Sequence, residues 1–253
     1  MTTFRCNRCS KNAIYFRKRD GIYLCDHCLK AFLKKKVERY LKSRGDLTPQ
    51  EKILVVLGGG TKSLVNLDLI CEVEKKYPFT EIKVIIVKEP VTIPPQMKLT
   101  RVLERAVKKL KTEVVGEVSI DCNDNVWNIR LTSSLNIARA MKFTSIALGI
   151  TLDDQVINLV YGLIKGKNTF LPQSIGGLKV LTPLANIPLK EVLVYAICKK
   201  FPIFFSGCSE DKVAKLIAEF VYRIEETDPN VKYMMYRSLT RVIKALGRSR
   251  SLP

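Results

Sequence analysis

From residue 52 onward, short apolar runs alternate with longer stretches whose apolar positions recur every three or four residues. The runs 52–57 (Lys-Ile-Leu-Val-Val-Leu), 82–87 (Ile-Lys-Val-Ile-Ile-Val), 114–119 (Val-Val-Gly-Glu-Val-Ser) and 145–149 (Ser-Ile-Ala-Leu-Gly) predict strands, with a fifth near 178–181. Helical spacing fills the intervals at 63–76, 98–112, 132–142 and 154–165. It continues at 188–200, about 210–226 and about 230–246. Strand runs that are apolar almost throughout are buried on both faces. The pattern therefore predicts an α/β domain, a parallel sheet flanked by helices, with a helical C-terminus.

The first fifty residues follow a different rule. Residues 28–44 put Leu29, Phe32, Leu33, Val37, Tyr40 and Leu41 on one helical face, opposite Lys34, Lys35, Lys36, Arg39 and Lys42. Gly45-Asp46-Leu47-Thr48-Pro49 breaks the helix, which divides the chain into a module over 1–46 and a domain over 47–253. Ahead of the helix, Cys6 and Cys9 form one Cys-x-x-Cys pair and Cys25 and Cys28 another, fifteen residues apart. Each such turn aims two thiolates at one metal, and two turns complete a tetrahedron. The pattern predicts a four-cysteine zinc knuckle, structural because four thiolates leave no open position. His27, the only histidine, is not needed as a ligand.

Of the other cysteines, Cys71 and Cys198 sit in apolar helical patterns and read as core, while Cys122 and Cys208 lie between elements. A disulfide framework belongs to short secreted chains. The start, Met1-Thr-Thr-Phe-Arg-Cys, has no apolar signal region, and no run of about eighteen apolar residues is present. A cytoplasmic protein with no membrane segment is expected.

Charge narrows the partners. Forty-three Lys and Arg against twenty-four Asp and Glu give a formal net charge of +19. It is clustered: residues 1–50 hold thirteen basic and four acidic residues. Residues 232–250 carry Lys232, Arg237, Arg241, Lys244, Arg248 and Arg250 with no acid. Such ends suit a polyanion, because Lys and Arg contacts to phosphate release counterions. The candidate RNA-binding residues are Lys34, Lys35, Lys36, Arg39 and Lys42 on the helix and Arg241, Lys244, Arg248 and Arg250 in the tail.

One loop carries a second chemical signal. Gly58-Gly59-Gly60-Thr61-Lys62-Ser63 joins a buried strand to a helix, where backbone can approach a phosphate and free N–H groups face it. It is neither a Rossmann fingerprint nor a Walker loop.

The order of zinc knuckle, basic helix, glycine loop and Leu152-Asp153-Asp154 resembles the PP-loop ATPases that 2-thiolate tRNA, above all the cytosolic wobble-uridine thiolation family. Leu135-Asn136-x-Ala138, Pro183-Leu184, Pro188-x-x-Glu191-Val192, Lys232-Tyr233 and Arg237-Ser238 extend the likeness over nearly the whole chain. The resemblance implies a PP-loop fold, of the adenine nucleotide alpha-hydrolase type. It places a nucleotide site at Gly58, Gly59, Gly60, Thr61, Lys62, Ser63, Asp153 and Asp154. Family members read Ser-Gly-Gly-x-Asp-Ser at the loop, where this chain has Gly58 for the Ser and Lys62 for the Asp that organises magnesium. Their Gly-His-Asn-Leu-Asp-Asp is Gly149-Ile150-Thr151-Leu152-Asp153-Asp154 here. The catalytic Cys-x-x-Cys before the Leu-Asn helix is replaced by Asp124-Asn125-Val126-Trp127, and Trp127 reads as a packing residue.

These departures make the chain most like the degenerate, non-catalytic second subunit, with no catalytic residue of its own. The resemblance then implies no ATP–magnesium chemistry and no iron–sulfur cluster. Its partners would be tRNA and, in a heteromer, a catalytic PP-loop homologue. Leu216, Ile217, Phe220, Val221, Tyr233, Met234 and Met235 are candidates for that interface or for core. Two alternatives stand beside this reading: an active ATP-dependent tRNA 2-thiouridine sulfurtransferase, and a zinc-containing RNA-binding protein with no thiolation role.

Overall fold

The computed structural model describes residues 4–43, 45, 51–58, 60–77, 80–88, 91–92, 99–120, 126–167, 169, 171–206 and 211–249. A hairpin of β1 (Tyr15–Arg17) and β2 (Ile22–Leu24) leads into α1 (Asp26–Ser43). The alternation then runs β3 (Lys52–Leu57), α2 (Thr61–Glu74), β4 (Glu81–Lys88), β5 (Val91–Thr92), α3 (Leu99–Lys109), β6 (Glu113–Ser119), α4 (Val126–Ala140), β7 (Ser145–Ala147) and α5 (Leu152–Lys165). It ends with β8 (Ser174–Ile175), β9 (Leu178–Leu181), α6 (Leu189–Cys198), β10 (Phe205–Ser206), α7 (Lys212–Thr227) and α8 (Val231–Ser249). All five predicted strands and all eight predicted helices are present, with ends shifted by a few residues. β1, β2, β5, β8 and β10 are additions, too short for a periodicity to mark.

The main sheet has the order β6-β4-β3-β7-β9-β8. Five strands are parallel, and β8 pairs antiparallel with β9 at the edge. The chain builds outward from β3 on one side and returns to build on the other. The switch in direction therefore lies between β3 and β7, where open α/β sheets place ligands at the carboxyl ends of the strands.

Both faces of the sheet are covered, which explains the apolar runs. Ile53, Val55 and Leu57 of β3 face a core shared with α1, α2, α3 and α6. Leu54 and Val56 face a second core with Leu131, Leu135 and Ala138 of α4. A third core joins Leu152 and Val156 of α5 to Ile217 and Val221 of α7, so the C-terminal helices pack on α5. Among the described residues, no helix is long and apolar enough to cross a membrane.

The cysteine module shares the first of these cores. Cys6, Leu24, Cys25, Cys28, Leu29, Leu33, Val37 and Leu41 are buried in one cluster with Ile53, Leu64 and Val192. A buried ion pair fastens the hairpin down: Arg17 Nε donates to Glu191 Oε1 of α6 at 2.6 Å. The Arg17 guanidinium also lies over the Phe32 ring, 4.6 Å from its centroid.

A second buried pair fixes the start of α5. Lys232 Nζ of α8, 2% exposed, donates to Asp153 Oδ1 at 2.5 Å and to Glu225 Oε2 of α7 at 2.6 Å. The other Asp153 oxygen accepts from the Leu189 N–H at 2.6 Å, at the first residue of α6. Removing one partner of such a pair strands a buried charge, whereas replacing both by neutral groups can be tolerated. Lys232→Met is expected to lower stability by about 3–5 kcal/mol. Adding Asp153→Asn, which keeps an acceptor for Leu189, should recover much of that loss. Urea unfolding of the two single variants and the double variant measures the coupling.

Candidate functional site

The switch point between β3 and β7 is built from the glycine loop on one side and residues 149–154 on the other. Gly58 and Gly60 lie outside the left-handed region, so their role is close approach rather than an unusual turn. A Cβ at Gly58 would stand 2.7 Å from Arg130 Nε, because the buried guanidinium of Arg130 packs onto the loop from α4. A serine at position 58 would require the end of the Arg130 side chain to shift. A Cβ at Gly149 would lie 3.0 Å from the backbone of Lys62 and Ser63, so the first turn of α2 sits directly on the end of the β7 loop.

The loop's polar groups are turned inward. Ser63 Oγ donates to the carbonyls of Gly58 at 3.1 Å and Gly60 at 2.7 Å. Thr61 Oγ1 donates to the Phe204 carbonyl at 2.9 Å and accepts from the Phe204 N–H at 2.8 Å, tying the loop to the segment before β10. Lys62 Nζ donates to Asp154 Oδ1 at 2.7 Å. Asp154 Oδ2 accepts from Thr151 N–H at 2.8 Å and Thr151 Oγ1 at 2.7 Å, closing a capping box at the start of α5. Asp153, 1% exposed, is occupied by Lys232 and Leu189 as described above. Burial pushes the Asp153 carboxyl above its ordinary range, and the Lys232 charge pulls it back.

The predicted loop residues and aspartates therefore meet at one point, but as a self-neutralised network. Magnesium needs carboxylate or substrate oxygens around it. Here the Asp154 carboxylate is divided between Lys62 and a helix cap, and that of Asp153 between Lys232 and a backbone amide. Gly59, Cys122 and Cys208 lie outside the described residues. Sequence reasoning does not place Arg130 or Lys232 in this network: Arg130 carries no local signal, Lys232 reads only as part of a family match and a basic tail, and both reach the network through tertiary packing.

The four cysteines do converge. The Sγ atoms of Cys6, Cys9, Cys25 and Cys28 all lie within 4.8 Å of one another, with Cys9–Cys25 at 3.4 Å and Cys9–Cys28 at 3.5 Å. The N–H of Arg8 points at Cys6 Sγ at 3.4 Å and that of Cys28 at Cys25 Sγ at 3.5 Å, which lowers the cost of negative sulfur. Cys9 is exposed and the other three are buried. The residues fit a tetrathiolate metal centre. Soft thiolates select zinc, copper(I) or iron–sulfur centres, and the donor set does not choose among them. His27 is exposed at the start of α1.

The basic helix is less solvated than its sequence implied. Lys34 pairs with Glu72 at 3.4 Å, Lys42 with Glu38 at 2.9 Å, and Lys36 with Glu191 at 3.6 Å. Burial brings the Lys36 ammonium down to about 8, against the opposing pull of Glu191. Lys35 and Arg39 are exposed. Lys36 and Arg39, with Tyr40, Ser43, Pro183, Asn186 and Ile187, line a cavity of about 320 Å³ between α1 and the segment before α6. In the tail, Arg241 is exposed on α8, the side chains of Lys244 and Arg248 are not described, and Arg250 lies outside the described residues. Of the candidate interface residues, Leu216, Phe220 and Met234 are exposed, whereas Ile217 and Val221 belong to the third core.

No family model matches the chain. It is 26% identical over 223 residues to a tRNA-cytidine(32) 2-sulfurtransferase of Bordetella bronchiseptica, covering 80% of this chain and 69% of that protein. It is 25% identical over 277 residues to a Methanocaldococcus jannaschii protein described as a "probable sulfurtransferase", covering 94% and 78%. Among solved structures, the U34-tRNA thiolase NcsA of Methanococcus maripaludis, with its [4Fe-4S] cluster, superposes with a TM-score of 0.81 at 24% identity. The match covers 96% of this chain and 88% of that one. This likeness bears out the α/β architecture with its mostly parallel sheet flanked by helices.

The comparison also corrects the cofactor expectation. The sequence implied no iron–sulfur cluster, yet the thiolase of the same fold is described with one, and four clustered thiolates are a donor set for such a cluster. Iron therefore has to be measured alongside zinc. Protein purified without oxygen should carry about one metal centre per chain, and Cys6→Ser or Cys25→Ser should abolish it. Elemental analysis for zinc and iron, with sulfide and visible absorbance, identifies the occupant. A metal-free wild-type chain would refute the site.

Proposed function

We propose that this chain belongs to the PP-loop tRNA thiolation family and is a non-catalytic accessory subunit in 2-thiolation of wobble uridine. It binds tRNA and a catalytic homologue whose loop is intact. The observation that carries this reading is the 2.7 Å contact between Lys62 Nζ and Asp154 Oδ1. Where the family's loop Asp would add a negative charge for magnesium, Lys62 instead neutralises a carboxylate of the same crevice. Gly58 stands where the family has its loop serine, with the Arg130 side chain lying against it.

The consequence for chemistry is direct. Adenylation requires the triphosphate to be held with its metal, and the charges that would hold the metal are here satisfied within the protein. The fold survives because its surfaces are used. Exposed cations on α1 and α8 supply an electrostatic face for tRNA, and exposed Leu216 and Phe220 on α7, one turn apart, offer an apolar patch to the homologue.

The purified chain, given tRNA, ATP and magnesium, is expected to release no AMP above a protein-free control. Mixed with the intact-loop homologue from the same organism, it should form a complex on size exclusion and raise the yield of 2-thiouridine. AMP release by the chain alone, or full thiolation by the homologue without it, would refute the accessory role.

The structure also sorts the cations. Lys35→Ala with Arg39→Ala should lower tRNA affinity and flatten the slope of log affinity against log salt, by nearly one unit for each phosphate no longer held. Lys34→Ala with Lys42→Ala, whose ammonium groups are engaged by Glu72 and Glu38, should change the slope little. Filter binding between low and moderate salt separates the two.

A further inference from the structure

The hairpin β1–β2 has two unlike faces. Tyr15, Arg17, Ile22 and Leu24 point inward, where Arg17 and Leu24 are buried and Tyr15 and Ile22 pack on the first core. Phe16 and Tyr23 are cross-strand partners and so share the opposite face. Their rings lie 4.6 Å apart, tilted by 31°. Phe4 adds a third ring, stacked on Tyr23 with centroids 4.5 Å apart and planes within 6°. A solvated hairpin face ordinarily carries polar side chains. This one leaves Phe4 56%, Ile14 53% and Phe16 41% exposed.

The surroundings of the rings indicate what covers them. Exposed Arg5, Arg8, Lys11 and Lys18 lie beside them in the chain. Asp20 is the one acid in residues 1–25, and it is held by Arg17 and Arg19. An apolar protein surface would gain nothing from this excess of positive charge along the same stretch of chain. An unpaired stretch of RNA presents both complements, a flat π-face and a phosphate, and proteins take such bases by stacking them on aromatic rings.

We propose that Phe4, Phe16 and Tyr23 form a stacking platform for an unpaired base of RNA, with Arg5 and Lys18 holding the adjoining phosphates. The proposal rests on the tRNA-binding reading above and adds a second contact region, distinct from the cations of α1 and α8. It makes the metal module a reader of single-stranded RNA, because the bases of a duplex are already stacked on one another.

The test compares a tRNA transcript with a fully paired RNA duplex of similar length, using the full chain. Phe4→Ala with Phe16→Ala should weaken tRNA binding about 5- to 100-fold. The duplex affinity and the metal content should stay unchanged, since a duplex offers no unpaired base to the rings and no thiolate is touched. Phe16→Trp keeps a ring, so it should retain tRNA affinity, and its added fluorescence should be quenched by an unstructured oligonucleotide but not by the duplex. That second variant reads the site even if loss of two rings unfolds the hairpin. Unchanged tRNA affinity in the double alanine variant with its metal in place, equal losses on duplex and tRNA, or no quenching of Phe16→Trp would overturn the platform. So would loss of the homologue complex with tRNA affinity intact, which would make the face a protein interface. If the wild-type chain binds no tRNA even at low salt, the tRNA-binding reading itself fails and takes the platform with it.

Discussion

The buried pair of Asp153 and Lys232 is the constraint on which the rest of the arrangement hangs. A carboxylate 1% exposed and an ammonium 2% exposed can persist only if every remaining donor and acceptor finds a partner. Lys232 meets this with Glu225 on α7, and Asp153 meets it with the first N–H of α6. One contact thus sets the position of α5, α6, α7 and α8 together. From α6 the chain of constraint continues outward: Glu191 lies two residues beyond Leu189 and receives Arg17, which anchors the hairpin. The hairpin in turn runs directly into Cys25 and so holds the metal module against the α/β domain. A polar relay therefore connects the C-terminal helices to the N-terminal cysteines, across 174 residues of sequence between Arg17 and Glu191 alone.

That relay explains why a protein with a formal net charge of +19 has a nearly neutral crevice. The excess positive charge is spread over exposed positions such as Lys35, Arg39 and Arg241, where solvation costs little. Arg17, Lys62 and Lys232, which reach inward, each meet a carboxylate, because an unpaired buried charge would cost more than the fold can spare. Counting charge along the chain locates the electrostatic surface but overstates it on α1, where Glu38, Glu72 and Glu191 absorb three of the five cations.

The parts legible in the sequence were those whose cause is local. β3 reads as a buried parallel strand because five of its six residues are apolar and both faces are covered. The cysteine spacing reads as a metal site because two tight turns fix where four sulfurs go. α5 reads as a helix from the apolar spacing over 154–165, although its capping box of Thr151 and Asp154 shows only in the structure. The rest depended on distance in sequence. Nothing near Gly58 says that Arg130, seventy-two positions on, will occupy the space above it. Nothing in Pro188-x-x-Glu191 says that the glutamate is the anchor of a hairpin. The three-residue strands β1 and β2 are too short for alternation to show, so the aromatic outer face was invisible until the pairing of Phe16 with Tyr23 was known. The metal's identity was not legible at all, since zinc and iron–sulfur centres use the same four thiolates.

The residues at positions 58 and 62 are tied to their surroundings, and this bears on what exchanging them would do. A serine at position 58 would bring its Cβ to 2.7 Å from Arg130 Nε, so the end of that side chain would have to shift. An aspartate at position 62, in the first turn of α2, would remove the cation that now neutralises Asp154 and add a second negative charge to the same crevice. Like charges in one crevice raise one another's proton affinity, so a metal would have to be present to hold both in the ionised form. Asp153 would remain closed to that metal as long as Lys232 is buried against it. The exchange at position 62 would thus leave charge uncompensated, whereas the network as it stands pairs each of these carboxylates with a cation. A crevice satisfied in this way is a stable structural element of the fold.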